Sequence, residues 1–257
     1  MSDFNLRFCQ LNMSVYEEIV SNIIATLPYG GVYVDLGAHV GQHTAAMVQR
    51  GDVWKVYAVE AIPQLCDKLN VRFKDSSKVS IICAAVGQLA GAATFSIAKD
   101  ALGYSGLKQR DIEAVSQWVD ITVPVFSLDD VVEPGDLKQV GLIKLDLEGG
   151  EFHAMLGSKD LLSRAKPLLV FENGLRDSAR DYKYSVDDFF GFFETIDYEL
   201  IDFFGNTVDR QYWHAVLRTY MFLAYPRNSA FEKWCKTDLS ELVNEVVRRK
   251  MHEQASG

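Results

Sequence analysis

What most constrains this chain is an alternation of short apolar runs with stretches of helical spacing. The runs Val32–Leu36, Lys55–Glu60, Val79–Cys83, Leu142–Leu147 and Leu168–Glu172 have the length and β-branched content of buried strands. Ahead of the first, Ile19, Val20, Ile23, Ile24 and Leu27 recur at helical spacing until Pro28, Gly30 and Gly31 end the pattern. Strands alternating with helices predict an α/β fold, a mostly parallel sheet with helices on both faces. Tyr198–Phe204 and Tyr220–Tyr225 read as a final strand pair, and Leu239, Leu242, Val243, Val246 and Val247 as one face of a closing helix.

One stretch breaks the alternation. Thr94–Ala98 and Ile121–Phe126 read as strands that pair with each other, and Pro124 places the second at a sheet edge. The residues between them, with Gly103, Tyr104, Gly106 and Trp118, form a loop long enough to be functional. With no repeat and no linker, the expected organisation is one domain: an N-terminal helix within 1–30, a core over 31–226 with insertions at 94–128 and 204–218, and a C-terminal helix within 227–257.

Composition excludes several classes. Acidic residues number 35 against 26 basic ones, a formal charge of -9, which opposes general affinity for nucleic acid or anionic membrane. No run approaches the roughly 20 apolar residues of a membrane span, and no signal-peptide pattern opens the chain, so the expected location is cytoplasmic. Cys9, Cys66, Cys83 and Cys235 show no metal-ligand spacing and read as reduced, packed thiols. His39 and His43 stand four apart, but the glycine turn interrupts them and no third ligand is recognisable, so no metal site is expected.

In such sheets ligands bind beyond the carboxyl ends of the strands. There the chain has Asp35-Leu36-Gly37-Ala38-His39-Val40-Gly41, a glycine turn opening a helix whose free N–H groups suit an anion. Glu60 follows at the next strand end, where a carboxylate can accept both hydroxyls of a ribose. The turn lacks the G-x-G-x-x-G that admits a nicotinamide dinucleotide's pyrophosphate. Further along comes Lys144-Leu145-Asp146-Leu147-Glu148-Gly149-Gly150-Glu151. Glu151 suits the first turn of a helix, whereas Asp146 and Glu148 have no such structural reason beyond a partnership with Lys144.

Val34–Gly41, Tyr57–Glu60, Phe126–Asp130 and Ile143–Glu151 together resemble the FkbM family of S-adenosylmethionine-dependent methyltransferases, over about Ser14 to Pro226. The resemblance implies a class I methyltransferase fold, a seven-stranded sheet with one antiparallel strand, and O-methyl transfer to a sugar or to a polyketide-like metabolite. It places Asp35, Gly37, Ala38, His39 and Gly41 at the methionine end of S-adenosyl-L-methionine, Glu60 and Ala61 at its ribose, Ala84 and Ala85 at its adenine, and Asp146 and Glu148 near the reactive methyl. His39 stands where the family usually has Asn, and Ala61 where it usually has Pro.

For the carboxylate that accepts the acceptor's proton, the expectation is Asp146 first, then Glu148, then Glu172. Tyr104, Trp118, Tyr182, Tyr184, Tyr212 and Trp213 suit the faces of sugar rings, while Arg176 and Arg180 suit a phosphate or carboxylate. The acceptor expected is therefore a sugar hydroxyl on a nucleotide sugar or a glycan. An NAD-dependent oxidoreductase, a non-catalytic S-adenosylmethionine-binding protein and a nucleic-acid methyltransferase are the competing classes. The first lacks its turn, the second has no use for Asp146 and Glu148, and the third lacks a basic surface.

Overall fold

The protein is described from a computed structural model that covers residues 13–215 and 219–255. Seven strands form the main sheet: β1 (Gly31–Leu36), β2 (Val53–Glu60), β3 (Val79–Cys83), β7 (Val140–Leu145), β8 (Leu168–Glu172), β9 (Tyr198–Asp202) and β10 (Met221–Pro226). Their order is β3-β2-β1-β7-β8-β10-β9, and β10 alone runs antiparallel to its neighbours β8 and β9. The architecture is the expected α/β one.

Alternation within each strand divides the core. Val32, Val34, Leu36, Leu169, Phe171 and Phe222 pack on one face with Phe152, Phe189 and Phe193. Tyr33, Leu142, Val170 and Leu223 point to the other face, where Ile19, Ile23, Trp234 and Val243 cover them. Period-2 strands flanked by 3.6-period helices thus bury both surfaces of the sheet.

Three details differ from the sequence expectations. The insertion is a second sheet in which β6 (Trp118–Phe126) lies between β5 (Gly91–Ala98) and the two-residue β4 (Ala85–Val86). Pro124 is therefore not on an edge strand: β4 pairs only with Val125 and Phe126, and Pro124 sits just before that short overlap. The C-terminal helix is two helices, Ala230–Thr237 and Leu239–Ala255, broken at Asp238. Likewise the stretch after Glu151 divides into Glu151–Leu156 and Lys159–Ala165 around Gly157. The part of the 204–218 insertion that is described holds the short helix Arg210–Trp213.

The cysteines also depart from expectation. Cys66 and Cys83 form a disulfide, because the helix Pro63–Arg72 and the end of β3 bring their Cα atoms to 5.8 Å. Cys235 is a buried free thiol, and Cys9 lies outside the described residues. No helix among the described residues is long and apolar enough to cross a membrane. Closing a 17-residue separation in the unfolded chain is worth about 3 kcal/mol in the loop-entropy picture. Reduction should therefore lower the thermal midpoint by several degrees, and the Cys66→Ser, Cys83→Ser double variant should match the reduced protein. Calorimetry with and without reductant checks this.

Candidate active site

β1 has β2 on one side and β7 on the other, so the connections diverge there and a crevice opens beyond their carboxyl ends. Asp35 and Lys144 are register partners across β1 and β7. Lys144 is 4% exposed and its Nζ donates to the Gly37 carbonyl at 3.0 Å. The same nitrogen lies 3.4 Å from Asp35 Oδ1 and 3.4 Å from Asp146 Oδ2. Burial alone would push the Lys144 pKa down, but the Asp146 and Asp35 carboxylates outweigh it and raise it. Asp35 is completely buried, and Oγ1 of Thr44 donates to its Oδ2 at 2.6 Å.

The turn after β1 is set by Glu60. Its carboxylate accepts the backbone N–H of His39 (2.9 Å) on one oxygen and that of Ile62 (2.8 Å) on the other. Burial raises the Glu60 pKa, and those two N–H donors work against the rise. His39 has φ of 49°, a left-handed conformation that Asn, Asp and His enter more readily than other side chains, which explains how His fits here. Gly37 has φ of 74°, and a Cβ on it would stand 2.0 Å from the Asp146 carbonyl, so close approach of the two strand ends requires glycine.

These elements enclose a cavity of about 290 Å³. Gly37, Ala38, His39, Glu60, Ala61, Ala84, Ala85, Asp146, Glu148 and Glu172 all line it, so most residues named from sequence converge. Asp35 and Gly41 do not line it. Asp35 acts from beneath through Lys144 and Thr44, and Gly41 (φ of 80°) lies where a Cβ would strike Leu69 and Phe73. The donor set fits a nucleoside sulfonium. Small apolar walls at Ala61, Ala84 and Ala85 flank Glu60, whose two oxygens each keep a lone pair beyond the N–H they accept.

At the far end three carboxylates gather. Glu148, at φ of 55°, forms an ion pair with Arg110 from the β5–β6 insertion. Burial and the neighbouring Asp146 push its pKa up to about 8, with Arg110 opposing them. Glu172, closing β8, is also pushed to about 8 by burial and by Asp146 and Glu148. Glu151 is wholly buried and accepts the N–H groups of Leu147 (2.8 Å) and Gly149 (3.0 Å), shaping the turn that presents Glu148.

Several sequence expectations change here. Arg180 is exposed and pairs with Asp177 and Asp181, and Arg176 lines neither cavity at the strand ends. Tyr182 and Trp213 are buried, Tyr184 packs against Phe152 and Phe189, and Tyr212 bonds to Asp202; Trp118 lines neither cavity. Only Tyr104 of the expected aromatics reaches the site, on both cavities. His43 is buried against the Glu17 backbone carbonyl (3.3 Å), and no group of three or more metal-ligating side chains occurs among the described residues. Arg110 was not legible: it stands 38 residues from Glu148 in a loop with no regular spacing.

Residues 35–203, well over half of the chain, match the Methyltransferase FkbM domain. The chain belongs to the FkbM methyltransferase family. Most of the residues that line the cavity at the β1–β7 crevice fall within the matched segment. The fold is similar to that of methyltransferase FkbM from Methylobacillus flagellatus KT, at 17% identity and a TM-score of 0.48 over 88% of this chain and 55% of that one. It is similar too to precorrin-6y C5,15-methyltransferase from Geobacter metallireducens GS-15, at 14% identity and 0.42, over 82% and 87% of the chains. The chain spans just over half the length of the M. flagellatus protein. No curated protein matches its sequence.

Glu151 generates a stability prediction. Burial raises its pKa to about 8, so from about pH 4.5 upward the unfolded chain gives up a proton that the folded chain keeps. Folded stability should therefore decline as pH rises through that window, by up to about 1.4 kcal/mol per pH unit for this one group. Glu151→Gln, neutral and still an acceptor for Leu147 and Gly149, should flatten the decline in denaturant titrations from pH 5 to pH 8.

Proposed function

We propose that this FkbM methyltransferase transfers a methyl group to a hydroxyl of a sugar. The observation that carries the reading is the cavity itself, which has a ribose-type carboxylate and alanine walls at one end and three acids at the other. S-adenosylmethionine, when bound, supplies an electrophilic methyl on a sulfonium. Glu60 would hold its ribose, Ala84 and Ala85 would flank its adenine, and the Gly37–Gly41 turn would receive its methionine end. In the transfer the S–CH₃ bond breaks, the O–CH₃ bond forms and the hydroxyl proton leaves to a carboxylate.

Glu148 is the better candidate for that proton than Asp146, which ranked first on sequence. Each carboxylate has a cation beside it, Lys144 at Asp146 and Arg110 at Glu148, so the choice between them rests on basicity. Glu148, pushed to about 8, matches a base working near neutral pH. Asp146 then orients the donor end, and Glu172 faces the acceptor. Tyr104 and Tyr220 on the adjoining cavity add aromatic faces beside carboxylates, a combination suited to a polyhydroxylated ring.

Binding tests the cofactor half. S-adenosylmethionine and S-adenosylhomocysteine should bind at micromolar levels by isothermal calorimetry while NAD does not; Glu60→Ala should weaken them roughly ten- to a hundredfold. A preference for NAD would overturn the reading.

Turnover tests the chemical half. Glu148→Gln should lower it by roughly 10²–10⁴ with little change in cofactor affinity. Because the base must be ionised, the wild-type rate should rise with pH and level off above about 8. Full activity in Glu148→Gln with loss in Asp146→Asn would return the base to Asp146.

A further inference from the structure

The N-terminal helix Met13–Thr26 lies outside the matched segment 35–203, yet one of its side chains reaches the cavity. Glu17 lines the wall together with Gln42 and His43, the first residues of the helix that the Gly37–Gly41 turn opens. His43 fixes this placement. Its Nε2 lies 3.3 Å from the Glu17 carbonyl, which can only accept, and 3.9 Å from the Glu17 carboxylate. The imidazole is buried, whereas the Glu17 side chain is 41% exposed, within reach of a ligand.

The helix is held in that position from two directions. The next residue, Glu18, points about 100° away round the helix and pairs with Arg249 and with Lys250 (3.4 Å) of the C-terminal helix. At the other end, the Arg50 guanidinium donates to the carbonyls of Ile24 (2.8 Å), Ala25 (3.1 Å) and Leu27 (2.9 Å). Ile19, Ile23 and Ile24 are fully buried in the core between them. Docking of the helix thus rests on Glu18, Arg50 and apolar burial, and Glu17 is turned to the cavity.

The methionine end of the cofactor is a zwitterion. The turn and the helix after it offer N–H donors, which suit a carboxylate, but an ammonium needs acceptors. Asp35, expected there from sequence, is completely buried and does not line the cavity. Thr44 donates to one of its oxygens, and the Lys144 ammonium lies 3.4 Å from the other. Glu60 is spent on the N–H groups of His39 and Ile62, and Asp146 has Lys144 beside it. Glu17 is the carboxylate that stands against the helix opened by the turn. Burial and Lys144 lower the pKa of the adjoining His43, so that ring is a neutral donor and not a counter-ion.

We propose that Glu17 of the N-terminal helix takes the α-ammonium of the cofactor's methionine moiety, making a segment outside the matched one part of the donor site. The proposal rests on the cofactor reading of this cavity. A ligand without the amino group gains nothing from Glu17, whereas one that carries it gains a charge-assisted hydrogen bond.

The test is calorimetry on the full chain with three ligands. They are S-adenosylhomocysteine, its 4-thiobutanoate analogue with hydrogen in place of the α-amino group, and 5′-methylthioadenosine, which lacks the amino-acid end altogether. The wild type should bind S-adenosylhomocysteine roughly tenfold tighter than the thiobutanoate analogue. Glu17→Gln keeps the size of the side chain and leaves the Glu18 and Arg50 anchors in place. It should weaken S-adenosylhomocysteine roughly tenfold, leave the other two ligands unchanged and so erase the preference. Three results would overturn the proposal while leaving the cofactor site standing: no preference in the wild type, a preference that survives in Glu17→Gln, or equal weakening of all three ligands, which marks a structural role. Failure of S-adenosylhomocysteine to bind the wild type would overturn the cofactor reading as well.

Discussion

The buried ammonium of Lys144 is the point on which the site depends. Parallel strands β1 and β7 end side by side, and the next chain segments turn away in opposite directions. Holding that divergence open requires something to tie the strand ends together from below. Lys144 does so with three contacts, to Asp35 on β1, to the Gly37 carbonyl in the turn and to Asp146 past the end of β7. Desolvating a lysine is expensive, and removing one member of such a buried set costs about 3–5 kcal/mol, because the others are left uncompensated. The K-x-D spacing thus has a physical basis: alternate residues share a strand face, so the ammonium and the following carboxylate fall on the same side of the crevice.

The carboxylates along the crevice differ by their partners. Glu60 spends its charge on two backbone N–H groups and so fixes the shape of the turn. Asp146 is paired with an ammonium, Glu148 with a guanidinium, and Glu151 with the backbone of its own turn. Glu172 has no hydrogen bond or ion pair among the described residues, and burial, Asp146 and Glu148 raise its pKa against the opposing pull of Arg110 and Lys144. Moving from one end of the cavity to the other, the acids pass from fully committed to uncommitted. That gradient assigns shape to one end and chemistry to the other.

The strands and the glycine turn were legible because burial on both faces leaves uninterrupted apolar runs, and a turn at a strand end leaves glycines and acids in a short window. The Asp146–Glu148 pair and Glu60 were legible for the same reason. What escaped was what depends on distant pairing. The two residues of β4 carry too little pattern to be read, and the Cys66–Cys83 bond depends on a helix meeting a strand end. The segment Arg176–Tyr182 was misread by composition, although its spacing held the answer. Asp177 and Asp181 are four apart and share one helical face, as do Arg176 and Arg180. The face with the acids turned to the cavity and that with the arginines to solvent.

Backbone strain gathers at the same place as the acids. Glu148 (φ of 55°) and Leu175 (φ of 50°) are non-glycine residues in left-handed territory, each at a cost of about 1–2 kcal/mol. Glu151 and Asn173 supply the restraint: Glu151 accepts the N–H groups on either side of Glu148, and Asn173, itself buried, accepts the N–H of Leu175 at 2.7 Å. Asn173 Nδ2 also lies 3.4 Å from Glu151, so one buried pair holds the turns after both β7 and β8. The consequence is directional. An extended residue at 148 would carry its carboxylate on along the strand, whereas the left-handed turn brings it back over the crevice, beside Arg110 and between the two cavities. Strain here is the means by which the carboxyl end of an interior strand presents a carboxylate to a space that the strands alone cannot reach.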